Sequence, residues 1–111
     1  MRLFGLIGYP LSHSFSAGYF NEKFKRESCR DRYENFPIAS IDQFKDLIES
    51  RPNLKGLNVT IPYKEAVIPF LDALDRTAAA VGAVNTVCIR RGSGTPELIG
   101  HNTDVIGFEP V

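Results

Sequence analysis

Three polar side chains lie close together in NVTIPYKE, the segment that covers residues 58–65. Asn58 and Thr60 stand two residues apart in a strand-like run, so an extended chain points both side chains to the same face. Lys64 follows four residues after Thr60, beyond the proline that ends the run. An amide, a hydroxyl and an ammonium group placed in this way could bind one small ligand rich in oxygen atoms. A lysine beside such a ligand could act as an acid or a base.

Polar side chains of the same kind occur in three other places. Ser14 and Ser16 belong to SHSFS, where a predicted strand gives way to a helix. Hydroxyl groups together with the free N–H groups of a helix N-terminus can bind a carboxylate. Asn85 begins a later strand in AVNTV, and Asp104 ends the segment GHNTD. A carboxylate at Asp104 could hold the ammonium group of Lys64 beside a substrate hydroxyl.

Each of these residues also has an ordinary structural interpretation. Serine and aspartate are common helix caps, which would account for Ser14, Ser16 and Asp104. Lys64 could be a solvated lysine at the start of a helix, and Asn85 could be a turn residue. Each cluster alone is a weak signal, and their joint placement at the ends of predicted strands favours a ligand site.

The hydrophobic pattern alternates between strand and helix along the chain. A capping box of Ser40 and Gln43 marks the start of the second helix. Pro62 suits the first turn of the third helix, which Pro69 should kink or end. The predicted strands cover residues 3–7, 32–38, 57–61, 85–91 and 97–103, the last two as a hairpin. The predicted helices cover residues 11–29, 41–51, 62–71 and 76–81, and a further helix begins after residue 104.

This alternation predicts an α/β fold with a mostly parallel sheet and helices on its faces. In open sheets of this kind, ligands bind beyond the carboxyl ends of the strands. The polar clusters follow the first, third and last predicted strands. We therefore expect them to meet at one edge of the sheet.

Composition excludes several classes of function. The 111 residues suit one domain. Their 13 basic and 13 acidic side chains give a formal net charge of zero, which argues against a general nucleic-acid binder. No apolar run is long enough to cross a membrane, and we expect a cytosolic protein. The sequence has no GxGxxG motif and no metal-ligand spacing. Cys29 and Cys88 are isolated, so we expect two buried or half-buried thiols and no disulfide.

Four motifs in order resemble the N-terminal substrate-binding domain of shikimate dehydrogenases. They are GLIGYPLSHSFS, GLNVTIPYKE, AVGAVNTV and GHNTDVIGF, and they cover nearly the whole chain. Ala17 departs from the family, which usually has proline there, with little expected effect on binding. The resemblance implies a three-layer α-β-α sandwich around a mostly parallel mixed sheet, over residues 1–111.

The resemblance also implies a role for each matching residue. Lys64 would be the catalytic residue, with Asp104 as its partner. Serines 14 and 16 would bind the carboxylate of shikimate or 3-dehydroshikimate. The side chains that would hold the ring hydroxyls are those of Asn58, Thr60, Lys64, Asn85 and Asp104. Family members reduce 3-dehydroshikimate to shikimate, usually with NADPH, in aromatic amino-acid biosynthesis.

Length is the larger departure from the family, whose members continue into a nucleotide-binding domain. We therefore expect this chain to be a truncated piece that binds no NADP(H), holds no metal and has no dehydrogenase activity by itself. An uncovered sheet face would then promote self-association, as in a homodimer.

Two other functions are compatible with the same residues. A relative that accepts quinate would differ at a few pocket positions, and serine at both Ser14 and Ser16 favours shikimate. A stand-alone module could instead bind a shikimate-like acid without catalysis. A purely structural role would leave the Lys64 and Asp104 matches unexplained.

Overall fold

The computed structural model describes residues 1–11, 16–92 and 94–103, with the backbone alone for Ser16. These residues form six strands and three α-helices. The strands are β1 (Leu3–Gly8), β2 (Arg32–Pro37), β3 (Leu54–Val59), β4 (Ala73–Leu74), β5 (Thr86–Arg90) and β6 (Glu97–His101). The helices are α1 (Ser16–Arg26), α2 (Phe44–Ser50) and α3 (Arg76–Val81), with 3-10 turns at Ile41–Gln43 and Ile68–Phe70.

The six strands form one mixed sheet in the order β2-β1-β3-β5-β6-β4. β1 runs parallel to both β2 and β3, and β4 runs parallel to β6. β5 is antiparallel to β3 and to β6, as predicted for the hairpin. Three of the five strand pairs are therefore parallel, which confirms the predicted α/β sandwich around a mostly parallel mixed sheet.

Alternation along the strands separates the two faces of the sheet. On one face, Phe4 of β1 contacts Phe24 of α1. On the other face, Ile7 and Leu57 pack with Phe44 of α2 in the hydrophobic core. We call these the α1 face and the core face. The largest fully buried side chains of the core are Ile7, Phe44, Leu54, Leu57, Val67, Val84 and Val87.

Arg91 joins the end of the hairpin strand β5 to the end of α2. Its guanidinium group donates to the backbone oxygens of Ile48, Arg51 and Leu54, at 2.8–3.1 Å. Backbone oxygens in the last turn of a helix have no partner within the helix. Arg91 therefore closes the α2 C-terminus and fixes the hairpin against it.

The segment after β3 differs from the prediction. Pro62 does not begin an α-helix: residues 61–67 form turns, followed by the 3-10 turn Ile68–Phe70. Pro69 has no N–H group to extend a helix, and the backbone oxygen of Lys64 accepts instead from Val84 N at 2.8 Å. Lys64 therefore lies on a turn that is tied to the chain before β5.

The start of β3 was also predicted wrongly, at residue 57 instead of Leu54. Leu3 pairs with Leu54, but Phe4 pairs with Gly56, so Lys55 is an extra residue in β3. Such a bulge breaks the two-residue alternation on which strand prediction depends. The two-residue strand β4 was too short to give any periodic signal.

Other local predictions are confirmed. Ser40 and Gln43 form the capping box before α2. α3 ends at Gly82, whose φ of 76° is left-handed.

The two cysteines agree only in part with the prediction. Both are free, and Cys29 is half-buried as predicted, but Cys88 is exposed. Its neighbours on β5 face the core, so Cys88 must point to the α1 face. The predicted helix after residue 104 lies outside the described residues.

Candidate substrate-binding site

A polar row crosses the α1 face near the carboxyl end of β3. Asn58 of β3 pairs with Thr86 of β5, and Thr86 pairs with His101 of β6. We call Asn58, Thr86 and His101 the polar row. Leu57 and Val87, one residue away on β3 and β5, face the core and are buried. The backbone that carries the row is therefore fixed by packing on the opposite face.

Thr60 lies just beyond β3, at the same edge as the row. Its N–H group donates to Ile7 O at 3.0 Å, and its own oxygen accepts from Tyr63 N. Gly8 leaves the space for the Thr60 side chain: a Cβ atom on Gly8 would lie 2.4 Å from Thr60 Cγ2. Lys64 follows on the turn that is tied to Val84, and its side chain is half-buried. Thr60 and Lys64 thus both lie at the end of β3, as the sequence predicted.

Asn85 holds the chain that follows β6. Its Oδ1 accepts from Thr103 N at 3.0 Å, and its Nδ2 donates to Thr103 Oγ1 at 2.9 Å. The hydroxyl of Thr86 donates to the same Oδ1 at 3.1 Å. One hydrogen of the Asn85 amide remains for a ligand. The predicted site residue Asn85 therefore also positions the chain immediately before Asp104.

Asn102, just after β6, also contacts the segment before β5. Its side chain is buried, with 4% exposure, and its Nδ2 donates to Ala83 O at 3.0 Å. Asn85 N in turn donates to His101 O at 3.0 Å. The two Asn-Thr pairs of the sequence thus join the segments before β5 and after β6. This connection is not visible in the sequence.

Asn58 contacts a residue that sequence reasoning missed. Its Nδ2 donates to the hydroxyl of Tyr33 at 2.8 Å. Tyr33 lies on β2, two strands away, and is 3% exposed. Tyr33 falls within the strand predicted over residues 32–38, but the sequence does not reveal its partner, because that depends on the strand order.

A second missed contact joins Asp75 to the polar row. Asp75 Oδ1 accepts from Ala78 N at 2.7 Å and so caps α3, while Asp75 Oδ2 lies 3.0 Å from His101 Nδ1. The Ala78 N–H group, and after it the His101 side chain, lower the pKa of Asp75. Aspartate before a short apolar helix is a sequence signal for such a cap. The contact with His101 is not visible in the sequence.

The structure brings together four of the predicted residues, Asn58, Thr60, Lys64 and Asn85. Ser14 and Asp104 lie outside the described residues, and the structure describes only the backbone of Ser16, at the first position of α1. The roles predicted for these three side chains therefore stay predictions.

Within the described ranges, no group of three His, Cys, Asp or Glu side chains could hold a metal ion. No helix in this part of the chain is long and apolar enough to cross a membrane. A groove of about 290 Å³ lies on the core-face side, between α2 and the hairpin. None of the four predicted site residues whose side chains the structure describes lines it, and its walls are mainly apolar, with Phe44, Ile48, Phe70 and Leu98 among them. We therefore place the candidate site at the polar row.

Comparison with known proteins shows the family to which the chain belongs. A family model described as the shikimate dehydrogenase substrate binding domain matches residues 6–87. The NADP(+) shikimate dehydrogenase of Oceanobacillus iheyensis is 46% identical over 105 residues, which cover 93% of this chain and 37% of that protein. This chain therefore spans a little over a third of the length of that relative.

Solved structures give the same result. Shikimate dehydrogenase 1 from Peptoclostridium difficile is 37% identical with a TM-score of 0.84, and the match covers 96% of this chain and 38% of that one. Shikimate 5-dehydrogenase from Listeria monocytogenes, solved in complex with shikimate and NAD, is 36% identical with a TM-score of 0.82. That match covers 97% of this chain and 36% of the other. The fold, the order of the motifs and these similarities together show that the chain belongs to the shikimate dehydrogenase substrate-binding domain family.

Proposed function

We propose that this chain binds shikimate and 3-dehydroshikimate as the substrate-binding domain of an NADP(H)-dependent shikimate dehydrogenase. The observation that carries the proposal is the meeting of Asn58, Thr60, Lys64 and Asn85 at one edge of the sheet. These side chains offer amide, hydroxyl and ammonium groups to a ligand rich in hydroxyls. The family match over residues 6–87 supports the same ligand class.

Lys64 is the proposed acid in the reduction. When hydride adds to a ketone carbon, negative charge develops on the carbonyl oxygen. NADPH supplies that hydride when the longer protein binds it. The Lys64 ammonium group stabilises the charge and gives the oxygen a proton, which leaves a neutral amine; in the reverse direction the amine takes the hydroxyl proton. Asp104 is the proposed partner that orients this ammonium group.

The proposal divides the activity between two parts of a longer protein. The relatives are longer, and this chain spans 37% of the O. iheyensis enzyme. Residues 1–111 supply the substrate contacts, and NADP(H) binds elsewhere in the longer protein. The 111 residues alone are then inactive. Measurable NADPH-dependent turnover by the isolated chain would contradict this division.

Calorimetric titration with shikimate tests the substrate assignment. We expect the chain to bind shikimate and Lys64→Ala to weaken binding at least about tenfold, because hydrogen bonds to charged groups contribute about 1.5–3 kcal/mol. Lys45→Ala is the matched control, because Lys45 is exposed on α2, away from the polar row. Failure of the unmodified chain to bind shikimate, or equal losses in both variants, would rule out the assignment.

Quinate in the same titration tests the main alternative substrate. Quinate carries one more ring hydroxyl, and tighter binding of quinate than of shikimate would reverse the proposed preference. The second alternative is a module that binds a shikimate-like acid without catalysis. Shikimate binding by this chain, together with no NADPH-dependent reduction by the longer protein, would favour that alternative.

Two further parts of the proposal concern the molecule as a whole. Association into a homodimer stays a prediction, and sedimentation at increasing protein concentration tests it: a monomer at all concentrations would contradict it. A cytosolic location also stays a prediction, tested by fractionating the cells that produce the protein.

A further inference from the structure

We propose that Tyr33 is a positioning residue, which fixes the Asn58 amide for the ligand. We also propose that Asn21, Tyr33 and Asn58 connect the two ends of the ligand site. The identity of the ligand rests on the function proposed above. The connection itself rests on contacts between described residues.

The first contact is between Asn58 and the Tyr33 hydroxyl. Asn58 Nδ2 donates to this hydroxyl at 2.8 Å, and Tyr33 is 3% exposed. This bond uses one of the two amide hydrogens, so the second hydrogen and the amide oxygen remain for a ligand. A hydroxyl group of the ligand could accept from this second hydrogen or donate to the amide oxygen, because a hydroxyl is both a donor and an acceptor. Without Tyr33, the amide could rotate between orientations that present different groups.

The second contact holds Tyr33 itself. The Asn21 side chain binds both backbone groups of Tyr33: Nδ2 donates to Tyr33 O, and Oδ1 accepts from Tyr33 N, each at 2.8 Å. The ring of Phe20 stacks on the Tyr33 ring with centroids 4.7 Å apart. Both Asn21 and Phe20 belong to α1. The place of the Tyr33 hydroxyl is therefore set by α1 as well as by β2.

The third step extends to the start of α1. The helix begins at Ser16, the residue proposed to bind the ligand carboxylate, and Asn21 lies five residues further on. The helix thus carries a proposed carboxylate contact and, through Asn21 and Tyr33, also orients the amide of Asn58. The separation between the carboxylate end and the hydroxyl end of the ligand is then fixed by one connected unit.

Tyr63 provides a matched comparison for Tyr33. It is also buried, with 6% exposure, and its hydroxyl donates to the backbone oxygen of Ile38. Ile38 and Tyr63 both belong to the hydrophobic core, whereas Asn58 lies on the α1 face. Tyr63→Phe therefore removes a buried hydroxyl bond of the same kind, but away from the polar row.

Shikimate titration of four variants tests the role in binding. We expect Tyr33→Phe to weaken binding about fivefold, the equivalent of about 1 kcal/mol for one neutral hydrogen bond. The double variant Tyr33→Phe with Asn58→Ala should bind no more weakly than Asn58→Ala alone, because Tyr33 acts through Asn58. Tyr63→Phe should keep the affinity of the unmodified chain. Additive losses in the double variant, or equal losses in both tyrosine variants, would overturn the proposal.

NMR of the Asn58 side-chain amide tests the connection without any ligand. We expect one χ1 rotamer for Asn58 in the unmodified chain and in Tyr63→Phe, and averaged couplings in Tyr33→Phe. An Asn58 rotamer that is unchanged in Tyr33→Phe would overturn the proposal even if shikimate binds. If shikimate does not bind the unmodified chain, the proposed function fails, while this measurement still decides whether Tyr33 positions Asn58.

Discussion

The two faces of β3 differ in chemistry, because successive side chains along the strand point to opposite sides of the sheet. Leu57 and Val59 are buried in the core, with 2% and 3% exposure. Asn58, between them, and Thr60, beyond them, lie on the α1 face and carry polar groups at the candidate site. Packing on the core face holds the strand in place. Substitutions of the polar residues on the α1 face should therefore cost little free energy of unfolding.

The same division applies to β5. Val87 is buried in the core, whereas Thr86 belongs to the polar row and Cys88 is exposed. In both strands, a residue of the row is flanked in sequence by a residue of the core. Core packing and the proposed ligand binding therefore depend on neighbouring residues, and substitutions can separate the two.

The largest expected contrast is between Leu57→Ala and Asn58→Ala. Leu57→Ala should cost about 2–5 kcal/mol of unfolding free energy, because it leaves a cavity in the core. Asn58→Ala should cost about 1 kcal/mol, because it removes one hydrogen bond to Tyr33. Urea denaturation measures both, and shikimate titration should rank the two variants in the opposite order. Equal losses of stability would show that the two faces are not separable.

A contrast between two glycines sharpens the comparison. A Cβ atom on Gly100 would lie 2.7 Å from Leu71 Cδ1 and 2.8 Å from Val84 Cγ2, so Gly100→Ala overpacks the core. The cost should be about 1–3 kcal/mol. Gly8→Ala would instead displace Thr60. We expect thermal unfolding to show losses in both variants and titration to show weaker shikimate binding for Gly8→Ala alone.

Substitutions of Asp75 separate its two contacts, the cap of α3 and the contact with His101 of the polar row, in their effects on the free energy of unfolding. Asp75→Ala should cost about 0.5–2 kcal/mol, because α3 loses its cap. Asp75→Asn keeps a capping acceptor and removes the charge beside His101.

The pH dependence of Asp75 has a definite sign. Because folding lowers the pKa of Asp75, its ionised form stabilises the fold fully above the unfolded pKa of about 3.9. This contribution is lost as the pH falls through the lower pKa of the folded state. Acid denaturation of Asp75→Asn should lack this part of the pH dependence. An identical profile in the variant and the unmodified chain would contradict the assignment.

The smallest expected effect lies at the opposite edge of the sheet, before β1 and β2. Arg2 donates to Asp31 there, with Nη2 and Oδ2 2.6 Å apart, and the Arg2 hydrogen bond lowers the pKa of Asp31 to about 2. Arg2→Ala should raise that pKa towards the ordinary value for aspartate, as followed by NMR titration of the carboxyl carbon. Shikimate binding should not change, since this edge is far from the polar row.

Local patterns in the sequence predicted the regular parts of the site. The alternation of residues 57–60 correctly placed Asn58 and Thr60 together, because this half of β3 follows the two-residue repeat. The first half of β3 was missed, because the bulge at Lys55 interrupts that repeat. The helix predicted to begin at Pro62 was wrong. That prediction used only the local sequence, which does not show that Lys64 O accepts a hydrogen bond from the distant Val84 N.

Contacts between distant residues could not be predicted in the same way. Tyr33 and Asn58 are 25 residues apart, and they meet because β1 lies between β2 and β3 in the sheet. The same holds for Asp75 and His101, which are 26 residues apart. Strand order is set by the whole chain, so local sequence patterns can indicate candidate site residues but not the residues that contact them from other strands.

The exposed thiol of Cys88 makes the α1 face accessible to chemical labelling. Cys88 lies two residues along β5 from Thr86, on the same face as the polar row. An environment-sensitive dye attached there, with the half-buried Cys29 replaced by serine, would sit next to the candidate site. The fold thus supplies an attachment point for an optical assay that follows ligand binding without a cofactor or a coupled reaction.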